Sequence, residues 1–427
     1  MNIKVKGGQV LSGEIFPSGN KNSAVALLPA TILFDKEITL ENVPDILDMD
    51  KLVAIMKKLG SKIVWDKKGK KMSIDNGKIR FEDLDSEDLG NIKGTSLLWG
   101  PLLARFGRVT FNNLPGGCTL GFRTLDPQYQ AFRDLGVKVI DKNSGVSMDA
   151  SEASGREIWL TEMSPTTTEN ILMLATGLTG TTKIVGAASE PHVQDLCNFL
   201  SSAGVKIFGI GSNIVTIEPV KYLQPVKYKI SSDHMEITTF LAFAAANGGK
   251  VKIHDVQQNF IRPMEYVFSK FGINLKYEKD TVILNNSRVI IDAEERRGNL
   301  TVRAQPWPFL PVDTLPVFIP LALAAEKGQV IFHNWMYDAG LFWTSELIKM
   351  GANIIIADPH RVIVNAGQKL HGATLEAPYI IRAVVAMVIT AMISGDETII
   401  LNADALYRGH PNFSENLKKL GARIEEV

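Results

Sequence analysis

The phrase KKLGSKI, residues 57 to 63, returns along the chain as RDLGVKV (133 to 139), SSAGVKI (201 to 207), SKFGINL (269 to 275), IKMGANI (348 to 354) and KKLGARI (418 to 424). Its glycines, Gly60, Gly136, Gly204, Gly272, Gly351 and Gly421, are separated by 76, 68, 68, 79 and 70 residues when neighbouring numbers are subtracted. Each copy reads as the end of an amphipathic helix, a glycine in the left-handed C′ conformation, and the start of a β-branched strand. Upstream of most copies lies a second helix rich in Ala, Leu and Met, such as NSAVALLPATIL (22 to 33) or EITTFLAFAAA (236 to 246). A strand follows it, such as EITLENV (37 to 43) or KVKIHDV (250 to 256). The unit is roughly β-α-β-α-β-β and about 70 residues long, and six evenly spaced copies point to duplication rather than chance. They divide most simply as three plus three, with the crossover near PVKYKISSD (225 to 233). Two similar domains that face one another are expected to shelter a cleft, a usual place for ligands.

Size and composition agree with that division. A chain of 427 residues exceeds the length at which one hydrophobic core stops growing. Hydrophobic residues make up 45% and charged residues 22%, as expected of a folded chain with little disorder. The 46 basic and 46 acidic side chains cancel, so nothing supports broad electrostatic binding to nucleic acid or an anionic membrane. Two cysteines, Cys118 and Cys197, make no disulfide framework and fit a reducing cytosol. Cys197, in DLCNFL, reads as a buried helical residue. The N-terminus MNIKVKGGQVLSGEI alternates like a strand and lacks a signal peptide's apolar region. The longest apolar stretch, Ala383 to Ser394, is about 12 residues and reads as a buried helix, too short to span a membrane.

Three basic residues stand in glycine-containing loops: Lys21 in PSGNKNSA, Arg123 in PGGCTLGFRTLD and Arg408 in ALYRGHPN. Cations beside free backbone N–H groups suit a phosphate or carboxylate. Each alone is also what a solvated surface charge looks like; together they occupy equivalent loops of different repeats. Asp313, in PWPFLPVDTLP, is crowded by prolines and aromatics, surroundings that make a carboxylate a candidate general base. It reads equally as the N-cap of the helix that follows. In NNLPGGCTLGFRTLD (112 to 126), Cys118 follows a Pro-Gly-Gly turn, a poor place to bury a thiol and a good place to expose one beside Arg123. The histidines show no metal-ligand spacing, and no Walker A, G-x-G-x-x-G or G-x-S-x-G motif is present. Neither a metal nor a cofactor is expected.

SGNKNSA, GPLLARFG, LPGGCTLGFR, SEPHVQDLCNFL and the terminal YRGH…LKKLGARIE, in that order and at that spacing, resemble the UDP-N-acetylglucosamine enolpyruvyl transferases (1-carboxyvinyltransferases) of peptidoglycan synthesis. The resemblance runs from about residue 5 to the C-terminus. It implies a two-domain inside-out α/β barrel of six βαβαββ repeats. The expected domains are 21–230, carrying the Cys118 loop, and 1–20 plus 231–427, carrying Asp313 and Arg408. It also implies a cytoplasmic enzyme, a monomer or weak homo-oligomer, whose partners are phosphoenolpyruvate and a uridine nucleotide or nucleotide sugar, with no nucleic acid and no membrane. On this resemblance Cys118 lies on a mobile loop that closes over phosphoenolpyruvate, serves as the acid at its methylene carbon, and is the point of attack by fosfomycin. Asp313 is then the base near the acceptor hydroxyl, and Lys21, Arg123 and Arg408 hold phosphate and carboxylate. Asn22, Lys93, Arg123, Asp126, Ser164, Asp313 and Tyr337 fall on the acceptor side. A clamp of this kind acts by stabilising charge and positioning reactants. Joint retention of Cys118, Lys21, Arg123, Asp313 and Arg408 argues against the competing class, a binding protein that kept the fold and lost turnover.

The departures from the family's motifs cluster on the acceptor side. Lys93 in KGTS stands where the family has arginine, and lysine cannot reproduce a bidentate guanidinium contact. In EMSPT, which replaces a diphosphate-holding K-V-S-V-G, Ser164 remains while Glu162 and Thr166 take the lysine and glycine positions. LPVDTL keeps Asp313 but not its neighbours, Gly340 aligns with an arginine, and IIRA keeps Arg382 but has Ile380 in place of an aspartate. DHMEIT keeps Asp233 and Glu236 and puts His234 at an arginine position; RTLDPQ keeps Arg123 and Asp126. The phosphoenolpyruvate half therefore reads as intact and the acceptor half as rebuilt. UDP-N-acetylglucosamine is the first expectation for the acceptor. The alternative is a different nucleotide such as uridine monophosphate, used by family paralogues in nucleoside-antibiotic synthesis.

Overall fold

All six repeated glycines adopt positive φ, from +72° at Gly272 to +104° at Gly204. In every copy the residue after the glycine donates its N–H to the carbonyl five residues back. The bonds run from Ser61 to Met56, Val137 to Phe132, Val205 to Leu200, Ile273 to Phe268, Ala352 to Leu347 and Ala422 to Leu417, at 3.0–3.3 Å. This is the Schellman closure of a helix, and it turns the chain straight into a strand. The computed structural model describes residues 1–81, 93–112, 124–142, 145–285, 288–291 and 300–427.

Each repeat carries two kinds of helix. The second kind ends at the glycine and is amphipathic, as in Leu47–Lys58, Asp126–Asp134, Pro191–Ser202 and Gln258–Lys270. The first kind is apolar nearly all round and lies inside. His234–Ala246 buries 12 of its 13 residues and Ile381–Ser394 buries every residue from Ala383 to Met392. A helix apolar on all sides is stable only when other elements surround it. The buried helices of each unit pack on one another: Lys21–Ala30, Trp99–Phe106 and Pro165–Ala175 with the turn Lys93–Leu98 in one, His234–Ala246, Ile319–Ala324 and Ile381–Ser394 with the turn Val312–Phe318 in the other. The fold is therefore the inside-out α/β barrel, with helices in the centre and sheets outside.

Five of the sheets repeat a single plan, a parallel edge strand followed by antiparallel partners. Leu300–Arg303 runs parallel to Gln329–His333, which pairs antiparallel with Arg361–Asn365, itself antiparallel to Asn353–Asp358. Five sheets have four strands, and the sheet Arg108–Phe111, Gly145–Asp149, Lys138–Lys142 shows three among the described residues. Three strands come from far along the chain. Ser12–Ile15 is the parallel edge beside Lys250–Ile253, Lys227–Lys229 that beside Ile38–Glu41, and Ile3–Lys6 lies between Glu397–Leu401 and Arg423–Glu426.

These exchanges explain the two compact units, Met1–Ser18 with Ser232–Val427, and the described residues between Gly19 and Ser231. Each unit has its own hydrophobic core, one gathered around Phe240, Phe318 and Met387, the other around Leu28, Trp99 and Phe199. Backbone bonds tie each crossing within its unit, Asn20 N–H to Ser231 O at 2.8 Å and Asp233 N–H to Ser18 O at 2.9 Å. Asp195 adds to the tie in the second unit, accepting from Ser231 N–H at 3.1 Å, the Ser231 hydroxyl at 2.7 Å and the Tyr228 hydroxyl at 2.6 Å.

Candidate active site

The candidate residues fall at two stations of the repeat. The first is the N-terminal turn of the buried helix or of the 3₁₀ turn leading into it, held by Lys21 and Asn22, Lys93, Ser164, Asp233 to Glu236, Asp313 and Arg382 in the six repeats in turn. The second is the entry to the amphipathic helix, held by Asp48 in the first turn of Leu47–Lys58, Asp126 at the start of Asp126–Asp134, and Arg408 in the turn Ala403–Arg408 before Phe413–Lys419. Helix N-termini present backbone N–H groups without intrahelical partners and a partial positive charge, which suits phosphates and carboxylates.

In the unit Gly19–Ser231, Lys21 opens the helix Lys21–Ala30, whose N-cap Asn20 accepts from Ser23 N–H at 2.9 Å. The Lys21 ammonium lies 2.8 Å from Asp48, and both side chains are largely buried. Asn22 is half-buried beside it. Ser164 is the N-cap of Pro165–Ala175, its hydroxyl accepting from Thr167 N–H at 3.4 Å, while Glu162 and Asp126 are exposed. Lys93 opens the 3₁₀ turn Lys93–Leu98. Its side chain, and Cys118 and Arg123 with their loop, lie outside the described residues.

The same unit holds a buried glutamate–histidine pair that sequence reasoning passed over. Glu169, inside the helix that Ser164 caps, is only 3% exposed, and His192 Nε2 is 4.0 Å from its carboxyl. Burial, and then the charge of Glu190, hold the Glu169 carboxyl well above the usual carboxylate range. Cys197 is buried, as its setting in DLCNFL predicts. Burial first and Glu169 second push its thiol up to about 12, which makes it unreactive at neutral pH.

In the other unit the polar groups gather at the head of His234–Ala246. Asp233 is the N-cap, accepting from Met235 and Glu236 N–H at 2.8 and 3.1 Å. Glu236 accepts from Ser18 N–H at 2.8 Å and from the Ser18 hydroxyl. His234 is 1% exposed, its ring edge-to-face with Phe260 and Trp307 at 6.4 and 6.2 Å between centroids. Burial pushes its pKa down to about 4; the Asp233 and Asp313 charges oppose that shift and Arg382 adds to it. The ring is therefore neutral at pH 7, whereas an arginine at this position would be a second fixed cation.

Asp313 lies inside the 3₁₀ turn Val312–Phe318, half-buried, and its charge is felt by both His234 and Arg382. The reading of Asp313 as an N-cap does not hold, because Pro311 occupies that position and no side-chain bond caps the turn. Arg382 reaches the Thr239 hydroxyl at 3.4 Å and donates to His410 Nε2, the histidine of the YRGH motif. Burial lowers its pKa against the pull of Asp233, Asp313 and Glu236, and the guanidinium stays charged. Arg408 ends its turn with Cζ 4.9 Å from the centre of the Tyr379 ring. Tyr337 packs half-buried in the turn after Gln329–His333, its N–H donating to Asn334 at 3.2 Å. His410, Asp48 and Tyr379 were not singled out from the sequence; the position of His410 two residues beyond Arg408 was the one available signal.

Comparisons with known proteins extend over nearly the whole chain. A model of the EPSP synthase family (3-phosphoshikimate 1-carboxyvinyltransferase) matches residues 5–417. The UDP-N-acetylglucosamine 1-carboxyvinyltransferase of Borrelia garinii subsp. bavariensis is 35% identical over 424 residues, 99% of this chain and 98% of that one. The Bradyrhizobium diazoefficiens enzyme of the same name is 37% identical over 424 residues, 99% and 97% of the two chains. Among solved structures, the enolpyruvyl transferase NikO from Streptomyces tendae superposes with a TM-score of 0.88 at 20% identity, covering 100% of this chain and 98% of that one. EPSP synthase from Acinetobacter baumannii gives 0.74 at 16% identity, with 100% of both chains covered.

Proposed function

The chain belongs to the EPSP synthase family of enolpyruvyl transferases, and from that premise we propose that it transfers the enolpyruvyl group of phosphoenolpyruvate to a hydroxyl of UDP-N-acetylglucosamine, releasing phosphate. The observation that carries this reading is full-length identity of 35–37% to curated enzymes of that name. Protonation of C3 of phosphoenolpyruvate makes C2 electrophilic. The acceptor hydroxyl adds there and gives up its proton, and the tetrahedral adduct loses a proton from C3 and expels phosphate to restore the double bond. Cys118 is the acid and Asp313 the base. Lys21, Arg123 and Arg408 hold phosphate and carboxylate; Asn22, Lys93, Asp126, Ser164 and Tyr337 serve the acceptor. The Lys21–Asp48 contact keeps the ammonium in one place before the anion arrives, which is how a preorganised clamp favours charge that develops later. The reaction belongs to peptidoglycan precursor synthesis in the cytoplasm, and no helix of the described residues is long and apolar enough to cross a membrane.

A second acceptor, uridine monophosphate or another small nucleotide, is favoured by two observations. His234 is neutral and buried where the family motif has arginine, and exposed Glu162 stands at the lysine position of the diphosphate segment. Phosphate release from phosphoenolpyruvate, measured with UDP-N-acetylglucosamine, UDP and UMP in parallel, separates the readings. Turnover on the order of 1 to 1,000 per second with UDP-N-acetylglucosamine supports the first. Release confined to UMP would transfer the protein to the second. Lys21→Ala is expected to cost about 10²–10³ in kcat/KM on the productive acceptor, and Cys118→Ser to abolish or sharply slow release.

A further inference from the structure

We propose that Tyr379 is a positioning residue for Arg408, a platform that holds the guanidinium plane in the orientation in which it meets the phosphoenolpyruvate oxyanion. The inference rests on the reading of Arg408 as a phosphoenolpyruvate ligand. Arg408 sits on a well-tied backbone, since Gly409 and His410 N–H both bond Leu406 O, at 3.1 and 2.9 Å. Its side chain, however, has several torsions, and an arginine that must be ordered by its ligand gives up part of its binding energy to do so. A guanidinium lying over an aromatic face loses that freedom in advance. The face contact uses none of its N–H donors, which point outward in the guanidinium plane and match a carboxylate or phosphate edge.

Tyr379 is placed for that task. Pro378 fixes the backbone before it, Ile380 N–H closes a tight turn onto Pro378 O at 2.6 Å, and Ala377 N–H is bonded to Leu401 O at 3.0 Å. The buried helix Ile381–Ser394, which carries Arg382, starts two residues later. The ring is 47% exposed, so solvent and ligand can reach the contact. An aromatic ring standing 4.9 Å from the cation centre of a ligand-binding arginine has its natural role in that contact.

The test is steady-state kinetics of six variants on the full chain with saturating acceptor. Tyr379→Ala and Tyr379→Leu are expected to raise KM for phosphoenolpyruvate about 3- to 10-fold, the worth of one cation–π contact. Their kcat, acceptor KM and melting temperature should stay near the parent's. Tyr379→Phe keeps the ring and should restore the parent KM. In an Arg408→Lys background, where the ammonium does not lie flat on a ring, Tyr379→Ala should change little further. An unchanged phosphoenolpyruvate KM in Tyr379→Ala, with a large rise in Arg408→Lys, would overturn the inference and leave the role of Arg408 standing. A normal phosphoenolpyruvate KM in Arg408→Lys and Arg408→Ala would overturn that role and the inference with it. Loss of melting temperature together with equal rises in both KM values would make Tyr379 structural and sink the proposal.

Discussion

At the level of single residues, the contrast between His234 and Arg382 shows how burial assigns charge. Both stand at the head of a buried helix among the same carboxylates, yet one is neutral at pH 7 and the other charged, because their ordinary pKa values lie on opposite sides of neutrality. His234 has a stability consequence. Its pKa is about 6.5 unfolded and about 4 folded, so between those values the unfolded chain binds more protons and stability falls as pH falls. The contribution is fully present above pH 6.5 and is lost progressively down to about pH 4, about 3 kcal/mol in all. His234→Gln, which cannot titrate, should therefore show a flatter midpoint of denaturation between pH 6.5 and 4. Parallel pH profiles in parent and variant would show that the buried ring does not set the acid limb. The histidine was legible in the sequence as a departure from a motif. Its neutrality was not, because that depends on Phe260, Trp307 and Arg382, which are remote in sequence.

At the level of elements, the repeated glycine was the most legible feature, because a Schellman closure needs only local residues: an apolar helix end, a residue free to take positive φ, and a hydrophobic residue after it. The six copies nevertheless differ in what surrounds them. A Cβ added at Gly204 would meet nothing within 4 Å, whereas one at Gly60 would come within 3.0 Å of Lys78 O. Gly204→Ala should cost about 1–2 kcal/mol, the backbone term alone, and Gly204→Asn less. Gly60→Ala should cost more than Gly204→Ala, because a carbonyl oxygen must also shift. Chemical denaturation of the three variants gives the order; equal costs at Gly60 and Gly204 would show that the nearby carbonyl yields freely. Ser164 illustrates the opposite case. From the sequence it is a retained acceptor residue, and in the structure it caps a helix, so its loss would disturb the segment whatever it binds.

At the level of the whole molecule, the repeats are not closed units, since Ile3–Lys6 completes the last sheet and Ser12–Ile15 edges the sheet of the fourth repeat. Ile3 and Val5 are fully buried, worth about 1.5–3 kcal/mol each, and their strand is hydrogen-bonded along both edges. Deletion of residues 2–6 should therefore unfold or loosen the unit Ser232–Val427. Hydrogen exchange should show protection lost first in Glu397–Leu401 and Arg423–Glu426, while the helices Lys21–Ala30 and Pro165–Ala175 remain protected. Unchanged protection at Ile400 and Ile424 would contradict this dependence on a strand from the other end of the chain.

What the sequence determined alone is what local chemistry determines: the helix ends, the count of repeats, the all-apolar inner helices, and a set of basic and acidic residues placed in turns. Periodicity and turn residues act over a few positions, so they can be read along the chain. The tertiary structure alone decided which strands exchange between distant repeats, which carboxylates surround Arg382, that Asp48 holds Lys21, and that a tyrosine lies under Arg408. Those contacts join residues tens to hundreds of positions apart, and burial, which sets the charge of His234 and raises the pKa of Glu169, exists only once the cores have formed.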